Sequence, residues 1–298
     1  QYNQLEEIKI DENSNNMEEI KNIIEYLQKI DLFFPVLHGL YGEDGTIQGL
    51  FELMKKPYVG CGVLASSVGM DKAYTKVIFE KANICQAPYI YVKKNKEQYM
   101  YMDKAFNEQE MSLEDVTKIV EKEIGFPAFV KPANSGSSVG IHKSKNKEEL
   151  KEHIQYAAKF DRKILIEKGI QGKEVECAVL GNDEVIASCV GEIKPADEFY
   201  SYDAKYQNEA SKTIIPADLD ERISEEIRKL AIKAFKAIDG KGLSRVDFFV
   251  EDKTNQIYIN EINTLPGFTK ISMYPKLFEA VGIQYHELLD KLIDLAQE

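Results

Sequence analysis

The chain has 298 residues, 44% of them apolar and 10% aromatic, which is enough to fill a sizeable core and excludes a disordered or fibrous protein. Fifty acidic against 38 basic residues give a formal charge of −12, which argues against nucleic acid as a partner but leaves room for a local basic pocket holding a small anion. Cys61, Cys85, Cys177 and Cys189 lie far apart with no C-x-x-C pair, so buried or half-buried free thiols in a reducing cytoplasm are expected, not a zinc site or disulfide framework. No stretch approaches the ~20 apolar residues of a membrane span. The opening QYNQLEEIKIDENSNN has no signal-peptide apolar region. A cytoplasmic protein with no membrane partner is expected. No internal repeat is visible.

In chain order, DLFFPVL (31–37) reads as a buried strand ending at His38-Gly39. Gly42, Gly45 and Gly49 thread a loop into the helix-like TIQGLFELMKK, and PYVG reads as a short strand. After Met70, DKAYTKVIFEKAN has helical spacing at Tyr74, Val77, Ile78 and Lys81, and PYIYVKK restarts a strand at Pro88. Then come a charged helix (SLEDVTKIVEKEIG), a strand (AFVKP), the small-residue loop ANSGSSVG, a strand (GIHKS), a helix (NKEELKEHIQYAAKF) and a strand (KILIEKGI). Two strands flanking a glycine-rich turn imply antiparallel pairing. ECAVLG and EVIASCV share the turn Gly181-Asn182-Asp183-Glu184. The polar, tyrosine-rich stretch 192–212 has no period, and a loop that long is expected to be a functional lid. The helix after Pro216 places Ile223, Ile227, Leu230, Ala234 and Ile238 on one face, and the strands LSRVDFFV and QIYINEIN follow.

This last pair is the most informative. Alternation puts Arg245 and Asp247 on one face of the first strand and Glu261 and Asn263 on one face of the second. A turn centred on Thr254 sets Asp247 opposite Glu261 and Arg245 opposite Asn263. Two carboxylates at cross-strand distance repel unless a cation lies between them, and Mg²⁺ with its hard oxygen ligands suits the place. The alternative is a solvent-facing ion pair of Arg245 with a carboxylate. The loop Asn134 to Gly140 offers backbone N–H groups and hydroxyls to phosphate or carboxylate oxygens, although a ligand-free hairpin turn has the same composition. Lys131 leads into it and Lys72 opens a helix, positions that suit a polyphosphate but also plain solvation.

Jointly, HGLYGEDGTIQG, Met70-Asp71-Lys72, VKPANSGSSVGI, EKGIQGKEVECAVLG, EFYSYDAKY, SRVDFF and NEINTLPGFTKISMYP occur in the order found in D-alanine:D-alanine ligases, members of the ATP-grasp superfamily. The resemblance covers roughly residues 31 to 298. It implies an α/β (α+β) ATP-grasp fold: a partial N-terminal α/β domain (1–70), a central subdomain (71–168) and a C-terminal subdomain (169–298) that carries the lid.

The resemblance further implies that Lys72 and Lys131 contact a nucleotide's phosphates. Glu167, Lys168, Gly169 and Ile170 would line the adenine, and Glu174 would hold the ribose hydroxyls. Asp247, Glu261 and Asn263 match the family's Mg²⁺ ligands, where Mn²⁺ could substitute. Arg245 matches an arginine at the reacting carboxylate, and Gly267 a backbone N–H at the developing oxyanion. Ser272 and Met273 fall where the second amino acid's carboxylate binds. Ser137 would hydrogen-bond the lid's Tyr206, beside a Lys205 that reaches for the γ-phosphate. His38 either positions the first substrate or simply satisfies its loop; His142, His153 and His286 read as structural or exposed. The implied reaction joins two D-alanines through an acyl phosphate, with ATP and D-alanine as small-molecule partners. A homodimer is compatible with this. A D-alanine:D-serine ligase and a catalytically impaired ATP-binding homologue are the competing readings.

One departure stands out. The family opens with a strand and a G-G-x-S-x-E loop whose glutamate holds the first ammonium, and no such pattern precedes residue 31. A truncated or incompletely represented longer protein is expected; the alternative is a first-substrate site built differently, in which another carboxylate, Glu43 beside the His38 loop, takes the ammonium.

Overall fold

In the computed structural model the described residues are 17–136, 139–194, 212–269 and 271–298. Ser137, Lys205, Tyr206 and most of the expected lid lie outside them. The first helices are α1 (Met17–Leu27), α2 (Thr46–Met54), α3 (Val63–Met70) and α4 (Lys72–Lys81). Asp71 starts α4 by accepting from the Ala73 and Tyr74 N–H groups, two of the donors that a helix start leaves unmet.

Six antiparallel strands form the first sheet: β1 (Tyr89–Asn95), β2 (Gln98–Met102), β3 (Glu108–Met111), β4 (Ala128–Pro132), β5 (His142–Ser144) and β6 (Lys163–Lys168), in the order β3-β2-β1-β6-β4-β5. Alternation divides its two faces. Ile90, Val92, Val130, Ile164 and Ile166 pack under α5 (Leu113–Glu123) and α6 (Lys147–Ala157), capped by Ser112 and Asn146. The opposite face carries Tyr91, Lys131, Leu165 and Glu167, with Ala73 of α4 against Tyr91 and Leu165.

The second sheet holds β7 (Gly172–Leu180), β8 (Ile186–Lys194), β9 (Lys212–Ile214), β10 (Leu243–Glu251) and β11 (Ile257–Asn263), again antiparallel, in the order β11-β10-β7-β8-β9. One face, with Val175, Cys177, Val246 and Phe248, packs under α7 (Glu221–Ala237), where Ile227, Ala231, Ala234 and Phe235 are buried. The other face is divided along its length. Ala178, Leu180 and Leu243 lie under α8 (Met273–Glu279) and α9 (Tyr285–Gln297). Further along the same strands the same face carries Glu174, Glu176, Arg245 and Asp247. This end borders a cleft of about 850 Å³ lined from both sheets, by Glu174 and Glu261 of the second and by Lys131 and Glu167 of the first.

Three expectations are corrected. The run 31–37 makes one isolated parallel bridge, Phe33 to Tyr58, and no extended strand; Val36 and Leu37 are exposed. An apolar run needs continuous pairing partners to become a strand, and Pro35 brings no N–H to a ladder. The inward face of α4 is Ala73, Thr75, Lys76 and Phe79, with Tyr74 exposed, so a lysine occupies a core position. Cys85 is exposed, whereas Cys61 and Cys177 are buried and Cys189 half-buried; all four are free thiols.

Among the described residues no helix is long and apolar enough to cross a membrane.

Candidate active site

The cleft's acidic wall comes from strand register. Asp247 pairs with Glu261 and Arg245 with Asn263, the pairing that alternation predicts. Between Asp247 and Phe248 the register shifts, so β11 carries one extra residue there, Asn260. The bulge lets Ile259 and Ile262 both face the core while Asn260 and Glu261 both line the cleft. On its other side Asp247 pairs with Glu176 of β7, a carboxylate that the sequence reading passed over. Its signal was the alternation Glu174, Glu176 inside an otherwise apolar strand.

Arg245 is what makes this row tolerable. Its Nε and Nη2 donate to the two Asp247 oxygens at 2.8 and 2.7 Å, and Nε lies 3.1 Å from Glu176 Oε2. Burial disfavours the guanidinium charge, but Asp247 and Glu176 hold it firmly protonated. Asn263 Nδ2 donates to Asp247 Oδ2 at 3.0 Å. The residues expected at the reacting carboxylate and at a metal are therefore one network. Two carboxylates and an amide, which turned over presents its oxygen, are the hard donors Mg²⁺ takes when substrate oxygens complete its shell. Among the described residues no group of three or more His, Cys, Asp or Glu side chains forms an all-protein cage. The donor set fits Mg²⁺ on that basis.

The basic wall comes from α4 and β4. Lys72, the first residue of α4, donates from Nζ to the Ser135 carbonyl at 2.7 Å, and the same Nζ lies 3.8 Å from Glu261 Oε2. It thus joins the glycine-rich loop to the acidic wall. Lys131 Nζ lies 2.6 Å from Glu167 Oε2 and donates to Asn260 Oδ1 at 3.1 Å. Glu167's other oxygen is 2.6 Å from Lys76 Nζ. Burial opposes its charge, but Lys131 and Lys76 hold the Glu167 carboxyl down at about 2. Glu167, expected along a purine, lines the cleft beside Lys168 and Gly169 and is also the shared partner of two lysines.

The glycine-rich loop is anchored at its start: Asp161 Oδ2 accepts from the Asn134 backbone N–H and Nδ2, each at 2.9 Å. A Cβ on Gly136 would lie 3.3 Å from Gly39 Cα, so this loop touches the His38-Gly39 loop. There Glu43 Oε2 accepts from the Gly39 N–H at 2.5 Å. Burial, with Glu261 adding to it and Arg245 and Lys72 opposing, raises the Glu43 carboxyl to about 7. His38 itself is exposed.

At the far end of the cleft Lys168, Gly169, Ile170 and Glu174 line the wall with Phe129. The Lys168 and Gly169 N–H groups donate to the Pro88 and Pro127 carbonyls, each at 2.9 Å, so these two donors are already engaged. Gly267 packs close to Ser272, whose Oγ lies 2.9 Å from the position of an added Cβ. Ser272 Oγ accepts from the Thr269 N–H at 3.0 Å. The Met273 side chain is buried in the core under α8, so only its backbone could face a ligand.

Two antiparallel sheets closing on a cleft, with lysines on one wall and carboxylates on the other, define the ATP-grasp fold. Residues 78–294 match the family model described as D-ala D-ala ligase C-terminus, and residues 2–61 match D-ala D-ala ligase N-terminus. The D-alanine--D-alanine ligase of Acetivibrio thermocellus is 60% identical over 269 residues, covering 90% of this chain and 68% of the relative. That of Ruminiclostridium cellulolyticum is 56% identical over 273 residues, covering 90% and 69%. Among solved structures, the VanG D-Ala:D-Ser ligase from Enterococcus faecalis superposes with TM-score 0.78 at 39% identity, covering 90% of this chain and 73% of that one. The D-alanine-D-alanine ligase from Coxiella burnetii gives 0.76 at 37%, covering 89% and 67%. The chain belongs to the D-Ala D-Ala ligase family.

Proposed function

We propose that this chain joins two D-alanine molecules to D-Ala-D-Ala in an ATP-dependent, ADP-forming ligation that supplies a peptidoglycan precursor. The observation that carries the reading is the cross-strand set Asp247, Glu261, Asn263 and Arg245, with Lys72 beside Glu261 and with Lys131 and Glu261 lining one cleft, in a chain 60% identical to a protein named for that reaction.

In this reading the first D-alanine carboxylate attacks the γ-phosphate, giving an acyl phosphate and ADP, and the second amine displaces phosphate from the acyl carbon. Lys72 and Lys131 hold the phosphates; the strand end Glu167, Lys168, Gly169 and Ile170 lies along the purine, and Glu174 takes the ribose hydroxyls. Arg245 and the Gly267 N–H receive the oxyanion that develops on the acyl carbon. Ser272 and the Met273 backbone hold the second carboxylate. Asp247, Glu261 and Asn263 would hold Mg²⁺, which when bound neutralises charge on the transferring phosphoryl group. In the same proposal the stretch 192–212 is a lid that would close over the cleft and exclude water, with Tyr206 hydrogen-bonded to Ser137 and Lys205 reaching for the γ-phosphate. The division at residues 70 and 168 belongs to the same proposal, supported by the change of sheet between β6 and β7.

A D-alanine:D-serine ligase is the second reading, favoured by the superposition on the VanG enzyme. The higher identity to D-alanine--D-alanine ligases weighs against it. The test supplies ATP, Mg²⁺ and D-alanine, then D-alanine with D-serine in competition. ADP release that requires D-alanine, matched by D-Ala-D-Ala, is expected. ADP release without D-alanine, or a mixed dipeptide as the main product, would overturn the reading.

A further inference from the structure

Lys76 is a buried charge outside the cleft. It sits one turn after Lys72 on α4, is 3% exposed, and lines no part of the cleft. Burying an ammonium without partners costs several kcal/mol, so its surroundings must answer it. The Glu167 carboxylate lies 2.6 Å away, and the Tyr89 ring centroid 5.1 Å away. Burial pulls Lys76 below the ordinary lysine range, and Glu167 resists. Glu167 is also the partner of Lys131, which does line the cleft. One carboxylate is thus divided between two ammonium groups, and the third polar partner, Asn260, is neutral.

The charge arithmetic follows. If Glu167 faced Lys131 alone, the pair would be neutral and Lys131 would offer little to an incoming anion. With Lys76 taking one oxygen, the trio carries one net positive charge, and of its two lysines Lys131 is the one that lines the cleft. We propose that Lys76 is a positioning residue that acts through Glu167: it withdraws half of that carboxylate from Lys131 and so keeps Lys131 electrostatically available to a nucleotide's phosphates. This rests on the nucleotide-binding reading given above and adds a residue outside the cleft to it. A buried ion pair that merely holds α4 on the first sheet is the alternative, and it makes a different prediction: removing Lys76 would then loosen every ligand alike.

The test is calorimetry of Mg-ATP and of adenosine on the intact chain and on Lys76→Met, Lys76→Arg and the double variant Lys76→Met/Glu167→Gln, each with its melting temperature. Lys76→Met should weaken ATP by at least about tenfold while changing adenosine by less than about threefold, because only the phosphates sense the charge. Lys76→Arg should stay near the parent protein. The double variant should bind ATP more tightly than Lys76→Met, since the neutral amide that replaces the Glu167 carboxylate no longer neutralises Lys131, and any contact of Glu167 with the purine itself is read separately as an equal change in adenosine and ATP. Unchanged ATP affinity in Lys76→Met would overturn the proposal. So would equal loss of ATP and adenosine without recovery in the double variant, or a Lys76→Met chain too unstable to fold whose double variant still binds ATP poorly. If the parent chain bound no ATP, the nucleotide reading would fall and this proposal with it.

Discussion

Asp247 and Glu261 stand directly opposite each other on neighbouring strands with a cationic side chain against each: Arg245 on Asp247, Lys72 near Glu261. Two like charges at that spacing are stable only while cations answer them. Glu261→Gln removes one charge and leaves the strand pairing untouched. Ligation should fall at least about a hundredfold, and the melting temperature should stay within about 3 °C of the parent. Parallel measurement of ADP release and thermal melting checks this; near-parent turnover would remove Glu261 from the metal site.

Glu43 gives the pH behaviour. Its carboxyl is raised by burial to about 7 from an ordinary 4.5. Between those values the folded chain keeps a proton that the unfolded chain has lost, so stability falls as pH rises through the window and levels off above it. The full shift corresponds to at most about 3 kcal/mol, and partial exposure of the side chain reduces it. Glu43→Gln should flatten that part of the curve. Urea midpoints at pH 5 and pH 8, compared between parent and variant, read the difference, and parallel curves would contradict it.

Asp161 anchors the glycine-rich loop from outside the cleft, through two bonds to Asn134 and one from the Lys163 N–H at 3.0 Å. Asp161→Ala should cost roughly 1–3 kcal/mol of stability and raise the KM for ATP more than it lowers kcat. Steady-state kinetics with ATP varied would show the split; a loss confined to kcat would place Asp161 elsewhere in the reaction.

Tyr274 is fully buried under the second sheet, and its hydroxyl donates to the Val179 carbonyl at 3.0 Å. Tyr274→Phe keeps the ring packing and deletes that bond, so a loss of about 1 kcal/mol in denaturant unfolding is expected. A neutral result would mean that the Val179 carbonyl finds another donor.

Much of the active cleft could be read from residue order, because a hairpin's register follows from its turn and its alternation. That is why Arg245, Asp247, Glu261 and Asn263 stand as expected. The expected register ends at the bulge: nothing in QIYINEIN announces that Asn260 is the extra residue, and the pairs nearer the turn are shifted. Lys76 was illegible for a different reason. Helix faces are inferred from apolar spacing, and a lysine on the inner face is visible only once its partner Glu167, on a strand 91 positions later, is in place. That Glu167 is shared between two lysines was illegible for the same reason, since the sharing exists only in three-dimensional pairing. The apolar run 31–37 showed the converse error, since hydrophobicity without neighbours to bond does not make a strand.

The helix Lys72–Lys81 reaches into both sheets at once: Lys72 toward Glu261 of the second, Lys76 onto Glu167 of the first. Lys131 and Asn260 repeat the link directly, sheet to sheet. A hinge that swung the two halves apart at this end would have to break each of these contacts in a poorly hydrated place, at roughly 1–3 kcal/mol for every group left unmet. The floor of the cleft therefore behaves as a crossbeam. The placing of Lys72 and Lys131 relative to Glu261 is thereby set by contacts that tie one sheet to the other.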